Sequence, residues 1–182
     1  MDLLPTTVFD SGNGMQTHAW GPLLWTFLHI MSFNFPVKPS IRQRLHYWDF
    51  LTRLRHVLPC RHCRENMQRN LVDSGLALGI FESRETFSRF MYRFHNTVNK
   101  QLGKPEWDKS YEYLRANMEC LRARCTNTKV AAAPKTEKGC TEPVVLGCPV
   151  ASRIQIVKRP AAPEVCTALH FDFVNPLSRG IV

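Results

Sequence analysis

Apolar residues recur every three to four positions through most of the first 120 residues. That spacing puts them on one face of a helix. Trp20-Gly21-Pro22 opens the first such stretch, with Pro22 near a helix start, where a missing N–H costs least. Leu24, Trp25, Phe27, Leu28 and Met31 follow at helical spacing, and Phe35-Pro36 and Pro39 close it. Ser40 is placed to cap a second helix over 41–57, with Ile41, Leu45, Trp48, Leu51, Leu54 and Leu58 as its apolar stripe. Pro59 breaks it. A third, shorter helix is expected from Cys60 to about Leu71, followed by a turn at Asp73-Ser74-Gly75. Ser83 caps a fourth, whose core positions are Phe87, Phe90/Met91, Phe94, Val98 and Leu102. Gly103 stands where a glycine ends a helix, and Pro105 follows. A fifth short helix covers roughly 109–121. No segment of this region alternates with the two-residue period of a half-buried strand. The pattern predicts an all-α fold, a four-helix bundle with a short fifth helix.

Composition changes this picture only beyond residue 125. All but two of the aromatic residues, Phe171 and Phe173, lie before Cys125, while six of the twelve prolines follow it. The first part can build a core and the second mostly cannot. We therefore divide the chain into an N-terminal extension (1–14), a domain (15–125) and a largely irregular C-terminal tail (126–182). One short strand is expected near Arg153–Lys158. No internal repeat is seen.

The net charge is +9, which permits an acidic or nucleic-acid partner. The basic residues are spread along the whole chain without a cluster of four, so solvated helix faces are expected and no nucleic acid. The apolar run 21–31 contains His29 and is too short to span a bilayer. Met1–Gly14 carries Asp2 and Asp10 but no basic residue, unlike a signal or transit peptide. The expectation is a cytoplasmic protein without a membrane partner.

Seven cysteines, Cys60, Cys63, Cys120, Cys125, Cys140, Cys148 and Cys166, cannot all pair within one chain. Pro59-Cys60-Arg61-His62-Cys63 is the strongest chemical signal. Two thiols three apart at a helix start share a face, and the helix N-terminus with Arg61, Arg64 and His62 favours a thiolate. Such a pair is a dithiol/disulfide exchange centre. The alternative is half of a zinc site, Cys120/Cys125 being the other half, in a zinc-stapled helical binding module with a basic surface. A thioredoxin-like fold would need strands flanking the pair.

A second constellation is aromatic and imidazole. Trp25 and His29 are i,i+4 on the first helix, with Trp20 at its entrance. His95 and Asn99 are i,i+4 on the fourth, with Asn96 and Val98 beside them. An aromatic slot with such hydrogen-bonding groups suits a flavin ring or adenine, and Lys100 and Lys104 could meet a pyrophosphate. The alternative is a buried Trp with two satisfied core histidines.

Trp20-Gly-Pro-x-x-Trp25-x-x-x-His29, then Cys60-x-x-Cys63, then His95-Asn96-x-Val98-Asn99-x-x-Leu102-Gly-Lys104-Pro105 resemble, in order and spacing, the motifs of the Erv/ALR family of FAD-dependent sulfhydryl oxidases. The resemblance covers roughly residues 18–120. It implies one FAD at the mouth of the bundle and no metal. It implies a reaction in which two thiols become a disulfide and O2 becomes hydrogen peroxide. By the same resemblance, Cys63 faces the flavin and Cys60 exchanges with substrate. Trp20, Trp25, His29, His95, Asn96, Val98, Asn99 and Lys104 bind the cofactor, with Trp107 near such a position. The implied partners are protein dithiols or a downstream relay protein, O2 and a second copy of the chain.

Cellular members carry a further cysteine where this chain has Lys109. The chain in this respect resembles the small versions of large DNA viruses, which would place it in host cytoplasm or virion. A shuttle pair is sought in Cys120/Cys125 or among Cys140, Cys148 and Cys166. Cys120/Cys125 can equally be a structural clip on the fifth helix.

Overall fold

A computed structural model describes residues 11–124, 140, 142–144, 155–157 and 170–172. Most of the N-terminal extension and Cys125, Cys148 and Cys166 lie outside the described residues. The chain forms two units, Met1–Asp108 and Lys109–Val182. The first holds α1 (Thr17–Asn34), α2 (Ile41–Val57), α3 (Arg61–Asp73), a 3-10 turn (Leu78–Phe81) and α4 (Arg84–Gln101). The second holds α5 (Tyr111–Cys120) and four short strands, β1 (Ala123–Arg124), β2 (Glu142–Pro143), β3 (Gln155–Val157) and β4 (His170–Asp172). The fold is the expected helical one.

Local chemistry sets the helix ends. Ser40 accepts a hydrogen bond from the Gln43 N–H while Gln43 bonds back to the Ser40 N–H, a full capping box on α2. Ser83 and Thr86 do the same for α4, and Ser110 caps α5. Gly103 has φ +66. There the Gly103 N–H bonds Lys100 O and the Lys104 N–H bonds Asn99 O, the paired bonds of a Schellman end. α1 begins at Thr17, ahead of the expected Trp20-Gly-Pro start. Gln16 makes no side-chain cap there, so nothing in the sequence marks that boundary. The 3-10 turn was not expected. Its four residues are too few to show a period.

α4 packs on both α1 and α3, and α3 packs on α2. Phe35, Phe81, Phe87, Phe90, Met91 and Phe94 are buried in the core. The Phe87 ring lies 5.2 Å from Phe35, edge to face, and 5.0 Å from Phe81. Val98 packs partly against this core. Four expected apolar-stripe positions do not. Phe27 is exposed on α1, and Ile41 and Leu45 on α2, because the 3.6-residue period gives a stripe without saying what it faces. Leu102 is exposed because it is the C-cap of α4, past the helix face.

In the second unit Tyr111, Leu114 and Met118 of α5 are buried. β1 pairs antiparallel with β2, and β3, within the expected 153–158 segment, with β4. None of the helices among the described residues is long and apolar enough to cross a membrane.

Candidate active site

Cys60 and Cys63 are joined in a disulfide at the start of α3, with Cα atoms 5.2 Å apart. Cys60 is the N-cap of the helix, with extended backbone, and its sulfur accepts the Cys63 N–H at 3.1 Å. The sulfur therefore occupies the place of a capping oxygen, facing the positive end of the helix dipole. Arg61 is drawn to Glu65 on the outer face, at 3.8 Å. Cys60, the cysteine expected to meet substrate, is 8% exposed, whereas Cys63 is half-buried.

Around Cys60 the chain is crossed by residues 12–15. The Met15 N–H donates to Pro59 O at 2.7 Å and the Arg61 N–H to Asn13 O at 2.9 Å, forming an antiparallel bridge between Gly14 and Cys60. Arg64 reaches back from α3, donating to Leu58 O at 2.7 Å and to Gly12 O at 3.3 Å. The Trp20 indole donates to Met15 O at 3.3 Å. This strap was missed in the sequence. Its one signal is the Gly12-Asn13-Gly14 run, which periodicity cannot interpret.

α1 and α4 bring the aromatic and imidazole residues together. Trp25 stacks on His95 with centroids 4.0 Å apart and planes within 8°. Trp25 and Phe94 meet edge to face, with ring centroids 5.3 Å apart. His29 Nε2 and His95 Nδ1 are 3.0 Å apart. Burial and the neighbouring His95 push the His29 pKa down to about 3. Burial and the Lys104 ammonium push His95 down to about 4. Both rings are neutral at pH 7. His29 Nδ1 is buried without a hydrogen-bond partner. The Asn96 side-chain oxygen accepts the Trp107 N–H at 3.1 Å, tying down the loop after α4. Asn99 fixes Lys104 through its own carbonyl, at 2.9 Å. Lys100 and Lys104 are exposed.

A stacked, partly open Trp25, a neutral imidazole pair with a buried unpaired nitrogen, and nearby lysines fit a planar aromatic ligand carrying phosphate. The residues present therefore suit a flavin nucleotide. Cys120 and Cys140 are each disulfide-bonded. No group of three metal-ligating side chains occurs among the described residues.

A model of the Erv1 / Alr family matches residues 22–119. The chain is 34% identical over 90 residues to a probable FAD-linked sulfhydryl oxidase of Acanthamoeba polyphaga mimivirus, covering 50% of this chain and 63% of that protein. It is 30% identical over 98 residues to a putative FAD-linked sulfhydryl oxidase of invertebrate iridescent virus 6, covering 50% and 86%. The FAD-binding domain of Erv1 from Saccharomyces cerevisiae, a solved structure, aligns with TM-score 0.50 and 28% identity, covering 57% of this chain and 94% of that one. The chain spans only 42% and 43% of the full-length Arabidopsis thaliana and Saccharomyces cerevisiae relatives.

Proposed function

Because the chain belongs to the Erv1 / Alr family, we propose that its domain, residues 15–125, is a FAD-dependent sulfhydryl oxidase that forms disulfides in protein thiols. The observation that carries this reading is the Cys60–Cys63 disulfide at a helix N-terminus, in the bundle that also gathers Trp25, His29 and His95. Bound FAD would supply a two-electron acceptor that passes its electrons to O2, giving hydrogen peroxide.

The chain's own residues do the rest. A substrate thiolate attacks Cys60, forming a mixed disulfide and releasing Cys63 as thiolate. A second substrate thiol then releases Cys60, so substrate leaves as a disulfide and the pair as two thiols. The Cys63 N–H already bonded to the Cys60 sulfur stabilises the departing Cys60 thiolate. Trp25, His29 and His95, with Trp20, Asn96, Val98, Asn99 and Lys104, would hold the cofactor. Of the two imidazoles, His29 Nδ1 is the buried nitrogen without a partner among the described residues. Neutral imidazoles there hydrogen-bond without adding a buried charge.

A homodimer through α1 and α2 is part of the proposal. Phe27, Ile30, Ile41 and Leu45 leave apolar surface exposed on these helices, and the Phe27 and Phe50 rings meet at 6.3 Å. Sedimentation at equilibrium checks it. A cytoplasmic or virion setting is also proposed, and cell fractionation tests it. Oxygen uptake with a reduced dithiol tests the activity. Stoichiometric hydrogen peroxide is expected, and no uptake by flavin-loaded protein would overturn the reading.

A further inference from the structure

We propose that Gly14 and Arg64 are positioning residues for the Cys60–Cys63 pair, acting through a clasp on Pro59-Cys60-Arg61. Cys60 is the N-cap of α3, with extended φ −156 and ψ 120; its carbonyl accepts the Arg64 N–H at 3.0 Å and its sulfur the Cys63 N–H, but its own backbone is outside the helical dihedrals. Helix ends of this kind fray. The clasp restrains this one from two sides. On one side the strap pairs with it through Met15 N–H to Pro59 O and Arg61 N–H to Asn13 O. On the other, the Arg64 fork spans Leu58 O and Gly12 O, tying strap and helix entrance to one guanidinium.

Position 14 must be glycine for this to close. Its φ is +95, and an added Cβ would lie 2.6 Å from Pro59 O and 3.0 Å from the Cys60 Cα. Gly12 has open space around a Cβ. The Trp20 indole bond to Met15 O joins the strap to the start of α1. The clasp thus holds Cys60 where its thiol stays within bonding reach of Cys63 after reduction. That raises the effective concentration of one thiol at the other and favours the disulfide.

The inference rests on the exchange role given above to this pair, but its test needs no turnover. The full chain is equilibrated anaerobically with reduced and oxidised glutathione. Two glutathione thiols become one glutathione disulfide as the Cys60–Cys63 disulfide becomes two thiols. Alkylation and peptide mass spectrometry read the Cys60/Cys63 peptide alone. Gly14→Ala and Arg64→Met should each move the equilibrium three- to tenfold toward the dithiol, a tenfold shift being about 30 mV. Gly12→Ala should leave it unmoved. Arg64→Lys keeps the charge without the fork and should match Arg64→Met. If Gly14→Ala does not fold, Met15→Pro, which deletes the N–H to Pro59 O, replaces it.

Folded variants with an unmoved equilibrium would overturn the clasp, as would full recovery in Arg64→Lys. Neither result touches the oxidase reading. Conversely, absent oxygen uptake would sink that reading and leave this equilibrium measurable.

Discussion

His29 on α1 and His95 on α4 share a hydrogen bond of 3.0 Å between Nε2 and Nδ1. Two neutral rings can share it, because one nitrogen donates and the other accepts. Two imidazolium rings cannot. Between pH 6.5 and about 4 the unfolded chain binds protons at these positions and the folded chain does not. Their contribution to stability is therefore fully present above pH 6.5 and is lost as pH falls through that window. The slope is up to about 1.4 kcal/mol per pH unit for each ring. Tm measured against pH should fall less steeply in His95→Gln than in the parent. Parallel curves would show that the pair does not titrate this way.

Substitution of either cysteine should stop turnover while the fold persists. Cys63→Ser should keep its flavin and lose oxygen uptake with dithiothreitol by at least about a hundredfold, since the serine hydroxyl cannot take part in exchange. Cys60→Ser should do the same. An active Cys63→Ser protein would remove that residue from the route.

Trp25→Ala and His95→Ala each remove one half of the stack at 4.0 Å. Both should release flavin during purification, read as a fall in the ratio of visible to ultraviolet absorbance. Retention at the parent level in both would place the cofactor elsewhere.

Phe87→Ala empties the centre of a ring cluster with no solvent exposure. Such truncations cost about 3–5 kcal/mol. Urea unfolding should show that loss in the midpoint. A change under about 1 kcal/mol would mean that the site collapses to fill the space.

The helices were legible because capping residues and breakers bracket each apolar stripe, as Ser40 and Pro59 bracket α2. The start of α1 was not, since Gln16 carries no cap signal. The Cys60–Cys63 pair was legible from its three-residue spacing at a helix start, and Trp25/His29 and His95/Asn99 were each legible as an i,i+4 pair on one helix. Which helices meet is a tertiary fact, so the contact of His29 with His95 needed the structure. The strap was hidden for another reason. Backbone hydrogen bonds at residues 13 and 15 leave no side-chain pattern, and the sequence marks Arg64 only as a charge beside the thiols, not as a fork on two carbonyl oxygens. The exposure of Ile41 and Leu45 was likewise invisible to a period that fixes spacing but not direction.

The visible spectrum of the purified protein, recorded before and after anaerobic dithiothreitol, tests the thiol-to-flavin route most directly. A flavin spectrum bleached by the dithiol and restored by air is the result expected. A yellow protein that dithiothreitol cannot bleach, or a colourless one that takes up no flavin on incubation with FAD, would contradict it.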